Sequence, residues 1–210
     1  MDPGEPKFRR RKAERPEEIL SAALAVFAEK GFAAAKLDHI ASRAGVSKGA
    51  LYLYFATKEE LFAAVIDQAV APDLRRIAEL AAGHPGPFPD LARGFALLAP
   101  QVLQRPEVGG VMKMIVGEAR NFPALARIWH DRVITPALEA LSGAITAGQA
   151  RGEIRAGDPR LYALGLIGPL LAGLIWRETF VPVGAPPFDL PSLAAQHVET
   201  VLRGMMEIAP

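Results

Sequence analysis

The sequence predicts an all-helical protein: an N-terminal three-helix unit built around a helix-turn-helix, then a larger helical body. Three observations carry this. No stretch alternates apolar and polar residues for long enough to suggest a sheet, whereas apolar residues at helical spacing recur along the chain. The segment Leu37–Leu61, LDHIASRAGVSKGALYLYFATKEEL, reads as two short helices across a tight turn, with a third helix starting behind them. And 210 residues, half of them hydrophobic, suffice for a small domain plus a larger one. The expected division is 1–15, a basic arm; 16–62, the helix-turn-helix domain; and 63–210, the body.

The arm carries the basic run Lys7-Phe8-Arg9-Arg10-Arg11-Lys12. It suits tracking phosphates or entering the minor groove, and equally suits a solvated tail. Pro16 then fits a helix start, with Glu17 and Glu18 in the favourable first turn. Ile19, Ala23, Val26 and Phe27 make its inner face, and Gly31 closes it.

In the next helix Leu37, Ile40, Ala41 and Ala44 share one face. Gly45 follows, where glycine can take the left-handed conformation that ends a helix. Val46 anchors the turn and Ser47 caps the helix after it. There Ala50, Leu51 and Phe55 face inward, leaving Ser47, Lys48, Gly49, Tyr52 and Leu53 outward. Small residues at Gly49 and Ala50 permit close approach to base edges, and an alanine methyl can pack on thymine. The hydroxyls of Tyr52 and Tyr54 suit phosphate oxygens. Thr57-Lys58-Glu59-Glu60 is a capping box. Lys58 is unfavourable for that helix's dipole unless a phosphate lies against the helix end, so it joins the expected DNA contacts.

Residues 17–62 resemble the DNA-binding domain of the TetR (tetracycline-repressor-like) family. The matching stretches are Ile19-Leu20-Ser21-Ala22-Ala23, Phe27 to Phe32, Ile40 to Gly49, Leu51 to Phe55 and Lys58 to Phe62. The family often has threonines where this chain has Ala35, Lys36 and Ala50. Lys36 therefore weakens the usual cap of the second helix, and Ala50 removes a hydroxyl from the recognition helix. The resemblance implies a ligand-responsive regulator of transcription, a repressor, that binds a palindromic double-stranded operator as a homodimer and is released by a small molecule. The DNA-contact candidates are Lys36, Ser47, Lys48, Gly49, Ala50, Tyr52, Leu53, Tyr54 and Lys58.

Charge agrees with a separate DNA-reading head. Residues 1–58 hold eleven Lys or Arg against seven Asp or Glu; residues 59–210 hold thirteen against sixteen. The chain has no cysteine, so disulfides and thiolate metal sites are excluded; a reducing cytoplasm and the lack of a secretory h-region fit together.

The body reads as helix throughout: residues 62–82, a loop at 83–89, then 91–104, 111–121, and 123 to about 150 with a kink at Pro136. Leu161–Trp176 runs sixteen residues without a charge, short of the roughly 20 a membrane span needs, so it is expected as a buried helix and no membrane is implied. Gly165, Pro169 and Gly173 recur at i+4 and make a flat face. The last helix puts Leu193, His197, Val201, Leu202 and Met205 on one side. Both helices could close the monomer's own core. The resemblance implies that they form the dimer interface, with Gly165, Pro169, Gly173, His197, Val201 and Met205 in it. It also implies an effector pocket in the body, largely apolar in content. Its candidate lining is Phe95, Met112, Met114, Glu118, Phe122, Trp129 and Trp176, with Lys113, Arg120 or Arg177 as charged handles; aromatic and methionine side chains at helical spacing serve equally as core.

Enzymatic signatures are missing from the sequence: no GxSxG, P-loop, GxGxxG or HExxH. His39, His84, His130 and His197 are scattered without metal-ligand spacing, so no metal or cofactor is expected. The competing reading is a dimeric architectural DNA-binding protein that answers to no effector.

Overall fold

The computed structural model describes residues 7–207 except Gly83 and Pro85. Eleven α-helices are described, with a single isolated β-bridge, Ile154 to Met206. Helix α1 is Lys7–Ala34, α2 Leu37–Arg43, α3 Lys48–Tyr52 and α4 Lys58–Ala69. Then come α5 Ala71–Ala82, α6 Phe88–Leu103, α7 Pro106–Glu118 and α8 Pro123–Trp129. A π-turn, His130–Ile134, leads into α9 Thr135–Ala150; α10 Pro159–Thr179 and α11 Leu190–Met205 complete the chain.

Several boundaries differ from the sequence reading, each for a local reason. Helix α1 starts before Pro16 and takes in the basic run, because Lys, Arg, Ala and Glu favour helix. Residues 1–6 of the expected arm lie outside the described residues. The single helix expected over 62–82 is two, broken at Val70, whose ψ is −43° with φ at −121°. Pro72, two residues on, lacks the N–H that would continue the ladder. Helix α7 begins at Pro106 rather than 111, with proline in its first turn, where no amide is needed. The kink expected at Pro136 appears as the π-turn just before it, since the proline cannot donate to the preceding turn.

Two apolar cores organise the molecule. The first joins Ile19, Phe27, Phe32, Ile40, Leu51 and Phe62 of the N-terminal head to Val111, Met114, Leu125 and Trp129 of α7 and α8. The second joins α6, α9, α10 and α11 through residues such as Phe88, Phe95, Leu141, Ile145, Leu166 and Val198. The head is thus not packed as a free unit; α7 and α8 belong to its core.

Helix α10 is not buried as expected. Only 22% of its most apolar window is buried, although Pro159–Val183 is long and apolar enough to cross a membrane by length and composition. One side, Ala163, Leu166, Leu170, Gly173 and Leu174, faces the core; Leu161, Leu164 and Ile175 are exposed.

Candidate DNA-binding face and effector cavity

The head presents α3 on an exposed edge. Gly45 adopts φ +66°, the left-handed turn its position demanded. The Ser47 hydroxyl accepts from the Ala50 N–H at 3.1 Å and caps α3. Leu51 is fully buried under it, Ala50 and Phe55 are half-buried, and Ser47, Lys48, Gly49, Tyr52, Leu53 and Tyr54 are exposed. A leucine 85% exposed, as Leu53 is, leaves a large apolar side chain without a partner in the chain. Lys36 is exposed at the start of α2 and makes no side-chain cap, as its departure from threonine implied. Lys48 pairs with Asp38 at 2.8 Å, an exposed contact that a phosphate can replace.

Lys58 departs from its expected role. Its ammonium donates to the carbonyls of Phe32 and Ala35, the latter at 3.0 Å, and lies 4.3 Å from the centre of the Phe32 ring. Burial pushes its pKa down. The carbonyls at the end of α1 carry partial negative charge, and they, rather than a phosphate, offset the cation in the first turn of α4. Thr57 caps α4 as expected, accepting from Glu60 N–H at 3.0 Å, while the Glu60 carboxylate reaches Ala56 N–H at 2.9 Å, one residue before the cap.

Where the two cores meet, the body holds a partly open cavity of about 140 Å³. Val70, Met112, Trp129, Val133 and Leu174 line it from the first core and Phe95, Ala99, Leu141 and Leu170 from the second, with Val108 of α7 beside them. Every lining side chain is apolar. An engineered apolar cavity of roughly 150 Å³ holds one benzene, so the size suits a compact apolar molecule. Ile77 and Val102 are shared with an adjoining cleft lined by Asp73, Arg76, Gln101 and Arg105. That cleft is the polar side of the cavity. Arg105 is held there by Asp73 at 2.7 Å and by the Ala69 carbonyl.

Of the expected lining, Phe95, Met112 and Trp129 face the cavity. The others do not. Met114 is buried in the first core. Glu118 accepts from the amides of Phe32 and Ala33 at 3.0 and 2.7 Å, and Phe122 packs edge-on against Phe32 at 5.2 Å. Trp176 clusters with Phe180 and Phe188 and donates to the Pro186 carbonyl at 3.0 Å. Arg177 pairs with Glu178 and the Leu103 carbonyl, and Lys113 donates to the Glu178 carbonyl. The aliphatic majority of the lining was missed, because leucine and valine at helical spacing carry no signal that separates cavity from core.

Two of the residues expected at the dimer interface are also placed elsewhere. A Cβ on Gly173 would sit 2.7 Å from Leu190 and 3.0 Å from Leu193, so this glycine serves the contact between α10 and α11 of one chain. Met205 is 2% exposed, in the second core. An i+4 stripe drifts by about 40° per step, so eight residues rotate a helix face by about 80°. Gly165 therefore stays exposed while Gly173 turns inward, and His197 and Val201 stay half-buried while Met205 turns in.

A profile described as bacterial regulatory proteins, tetR family, matches residues 19–65. A second, described as tetracyclin repressor-like, C-terminal domain, matches residues 90–185. The chain belongs to the TetR family. Its helix-turn-helix makes it a DNA-binding regulator of transcription. It is similar to the transcriptional repressor BepR of Brucella suis, 26% identical over 201 residues, covering 92% of each chain. It is likewise similar to the fatty acid metabolism regulator protein of Bacillus subtilis, 28% identical over 203 residues, or 92% of this chain and 98% of that one. A crystal structure of a TetR-family regulator from Mesorhizobium loti superposes with a TM-score of 0.77 at 26% identity, covering 94% of this chain and 99% of that one. Three other curated relatives match over 57 to 75 residues, so this chain spans only 26% to 32% of their length.

Proposed function

We propose that this TetR-family protein is a cytoplasmic repressor, not an enzyme. It binds a palindromic operator as a homodimer and lets go when a compact, largely apolar molecule enters the cavity. The observation that carries this is the cavity's position. It lies on the seam between the core that contains the head and the core that contains α10 and α11, so filling it bears on how one is set against the other.

The dimer reading is supported by α10. Leu161, Leu164 and Ile175 are exposed along it, and a Cβ on Gly165 or Gly168 would meet nothing. This uncovered strip, beside His197 and Val201 of α11, suits a second copy in a four-helix contact. Two heads on a two-fold axis would read half-sites about 34–36 Å apart or a multiple of that. In the head we assign the contacts to Lys36, Ser47, Lys48, Gly49, Ala50, Tyr52, Leu53 and Tyr54. Lys58 acts indirectly, by holding the end of α1. The effector's apolar part fills the cavity, and any polar end lies toward Arg76 and Gln101. The apolar lining and a volume near that of a benzene-holding cavity make small alkyl-substituted benzenes and phenols the first compounds to try.

Trp129 lines the cavity and the chain's other tryptophan is Trp176, so a Trp176→Phe variant reports occupancy by fluorescence. Anisotropy with a duplex selected by the protein from a random pool reports DNA binding. Compounds that quench Trp129 should weaken DNA binding. If cavity occupants leave DNA affinity untouched, the effector reading fails and the protein is an effector-independent architectural binder.

A further inference from the structure

We propose that Glu118 is the residue through which occupancy of the cavity sets the position of the DNA-binding head. This rests on the effector reading above and adds the path by which the two sites communicate.

The path starts at a break in α1. Gly31 adopts φ 75° and ψ 170°, and the chain turns there before entering α2. The break turns the amides of Phe32 and Ala33 toward α7, whose Glu118 takes both, one on each carboxylate oxygen, at 3.0 and 2.7 Å. Hydrogen bonds to a carboxylate are roughly twice as strong as neutral ones. Gly31 is required twice over: its φ is left-handed, and any Cβ there would run into Glu118 Oε1. The hinge from Gly31 to Ala35, which leads directly into the helix-turn-helix, is therefore held by a side chain of the body. Lys58 holds the same hinge from the head, through the carbonyls of Phe32 and Ala35.

Helix α7 connects this grip to the cavity. Val108 and Met112 line the cavity. Gly110 lies two positions from each, about 200° round the helix, and meets α1 so closely that a Cβ would sit 2.8 Å from the Ala28 Cβ. Glu118 is eight residues beyond Gly110, about 80° further round, on the flank between the cavity face and the face against α1, where it reaches the Phe32 and Ala33 amides. One helix thus has the effector space on one face and the head on the other. A molecule pressing on Val108 and Met112 displaces the rod that carries Glu118, and the hinge moves with it. The coupling is the difference in grip between the empty and filled states.

The test uses a side chain as occupant. Ala99 lines the cavity at 5% exposure, so Ala99→Phe fills it without a ligand. Operator affinity is measured by anisotropy for the wild type, A99F, E118Q and A99F/E118Q. The expected result is a loss of roughly 5- to 150-fold on adding A99F to the wild type, and no further loss on adding it to E118Q. Equal losses in both backgrounds overturn the role of Glu118 while sparing the effector reading. No loss in the wild type overturns both. Should E118Q fold poorly, amide exchange decides with the carboxylate intact. The Phe32 and Ala33 amides should exchange faster in A99F than in the wild type, by roughly 5-fold or more, while those of Phe27 and Phe62 stay unchanged. Unaltered protection at Phe32 and Ala33 overturns the proposal.

Discussion

The two sites of this molecule are built on opposite plans. The DNA-facing edge is a short, exposed stretch whose shape is set by neighbours in sequence: Gly45 makes the turn, Ser47 and Thr57 cap the helices, and Leu51 pins α3 from below. The cavity draws on several helices distant in sequence. It is made by residues from Val70 to Leu174, none polar, that meet because two cores leave a gap. The first plan gives a face that reads chemistry by hydrogen bond and charge. The second gives an apolar space of limited size which, on the proposed reading, selects by size and apolarity and shifts one core against the other when filled. The proposed regulation needs both, and needs them joined; α7 and Glu118 are the proposed junction.

That contrast can be broken first in the cores. Leu51→Ala should cost about 2–5 kcal/mol, as truncations of buried leucines do, and should abolish DNA binding. Because the head shares its core with Trp129, the same change should perturb Trp129 fluorescence, whereas Leu166→Ala in the second core should cost as much stability with DNA affinity per folded dimer nearly kept. Denaturant melts followed by both tryptophan emission and DNA binding distinguish the two. If Leu51→Ala leaves the cavity reporter silent, the head is an independent unit after all.

Next comes the strip on α10. Leu164→Glu should convert dimer to monomer with helicity kept, seen by light scattering and circular dichroism at micromolar concentration. Gly173→Leu should instead lower thermal stability, because it overpacks the chain's own α10–α11 contact at a cost of about 1–3 kcal/mol. A Leu164→Glu protein that remains a dimer would move the interface elsewhere.

The smallest effects belong to the DNA face and sharpen the comparison most. Ser47→Ala removes the cap of α3 and should cost about 0.5–2 kcal/mol in stability, with weakened binding to all duplexes. Lys48→Ala should lower the log–log salt slope by roughly 1, while Lys58→Ala should leave that slope unchanged and lower the melting temperature, since its ammonium is spent inside the chain. Anisotropy across a salt series reads both slopes.

These differences also show what the sequence could reveal. The helix-turn-helix was legible because its determinants lie within a few residues of one another, at Gly45, Ser47 and Thr57. Phe95, Met112 and Trp129, which the sequence offers for a pocket because bulky side chains stand out in a helical pattern, lie on the cavity. Ile77, Leu138 and Leu141 also lie on it but do not stand out, since cavity and core impose the same spacing on aliphatic residues. The sequence offers Glu118 as a pocket residue because its partners are backbone amides 86 and 85 positions away, and an amide has no letter in the sequence. Lys58 looks like a phosphate contact in the sequence for the same reason: the carbonyls that hold it belong to Phe32 and Ala35, at and just past the end of α1. Gly173 and Met205 turn into the chain's own packing by helix rotation, which a stripe of letters at i+4 conceals.

The measurement that bears most directly on the whole account is the affinity of a cavity-quenching compound with and without DNA. A compound identified by Trp129 quenching is titrated calorimetrically into the free protein and into the protein saturated with its selected duplex. Linkage requires that DNA weaken the compound by the factor by which the compound weakens DNA, here roughly 5- to 150-fold. A fall of that size, equal in both directions, is the predicted result. The same affinity in the two titrations would contradict it, and the cavity would then be a packing gap with no part in regulation.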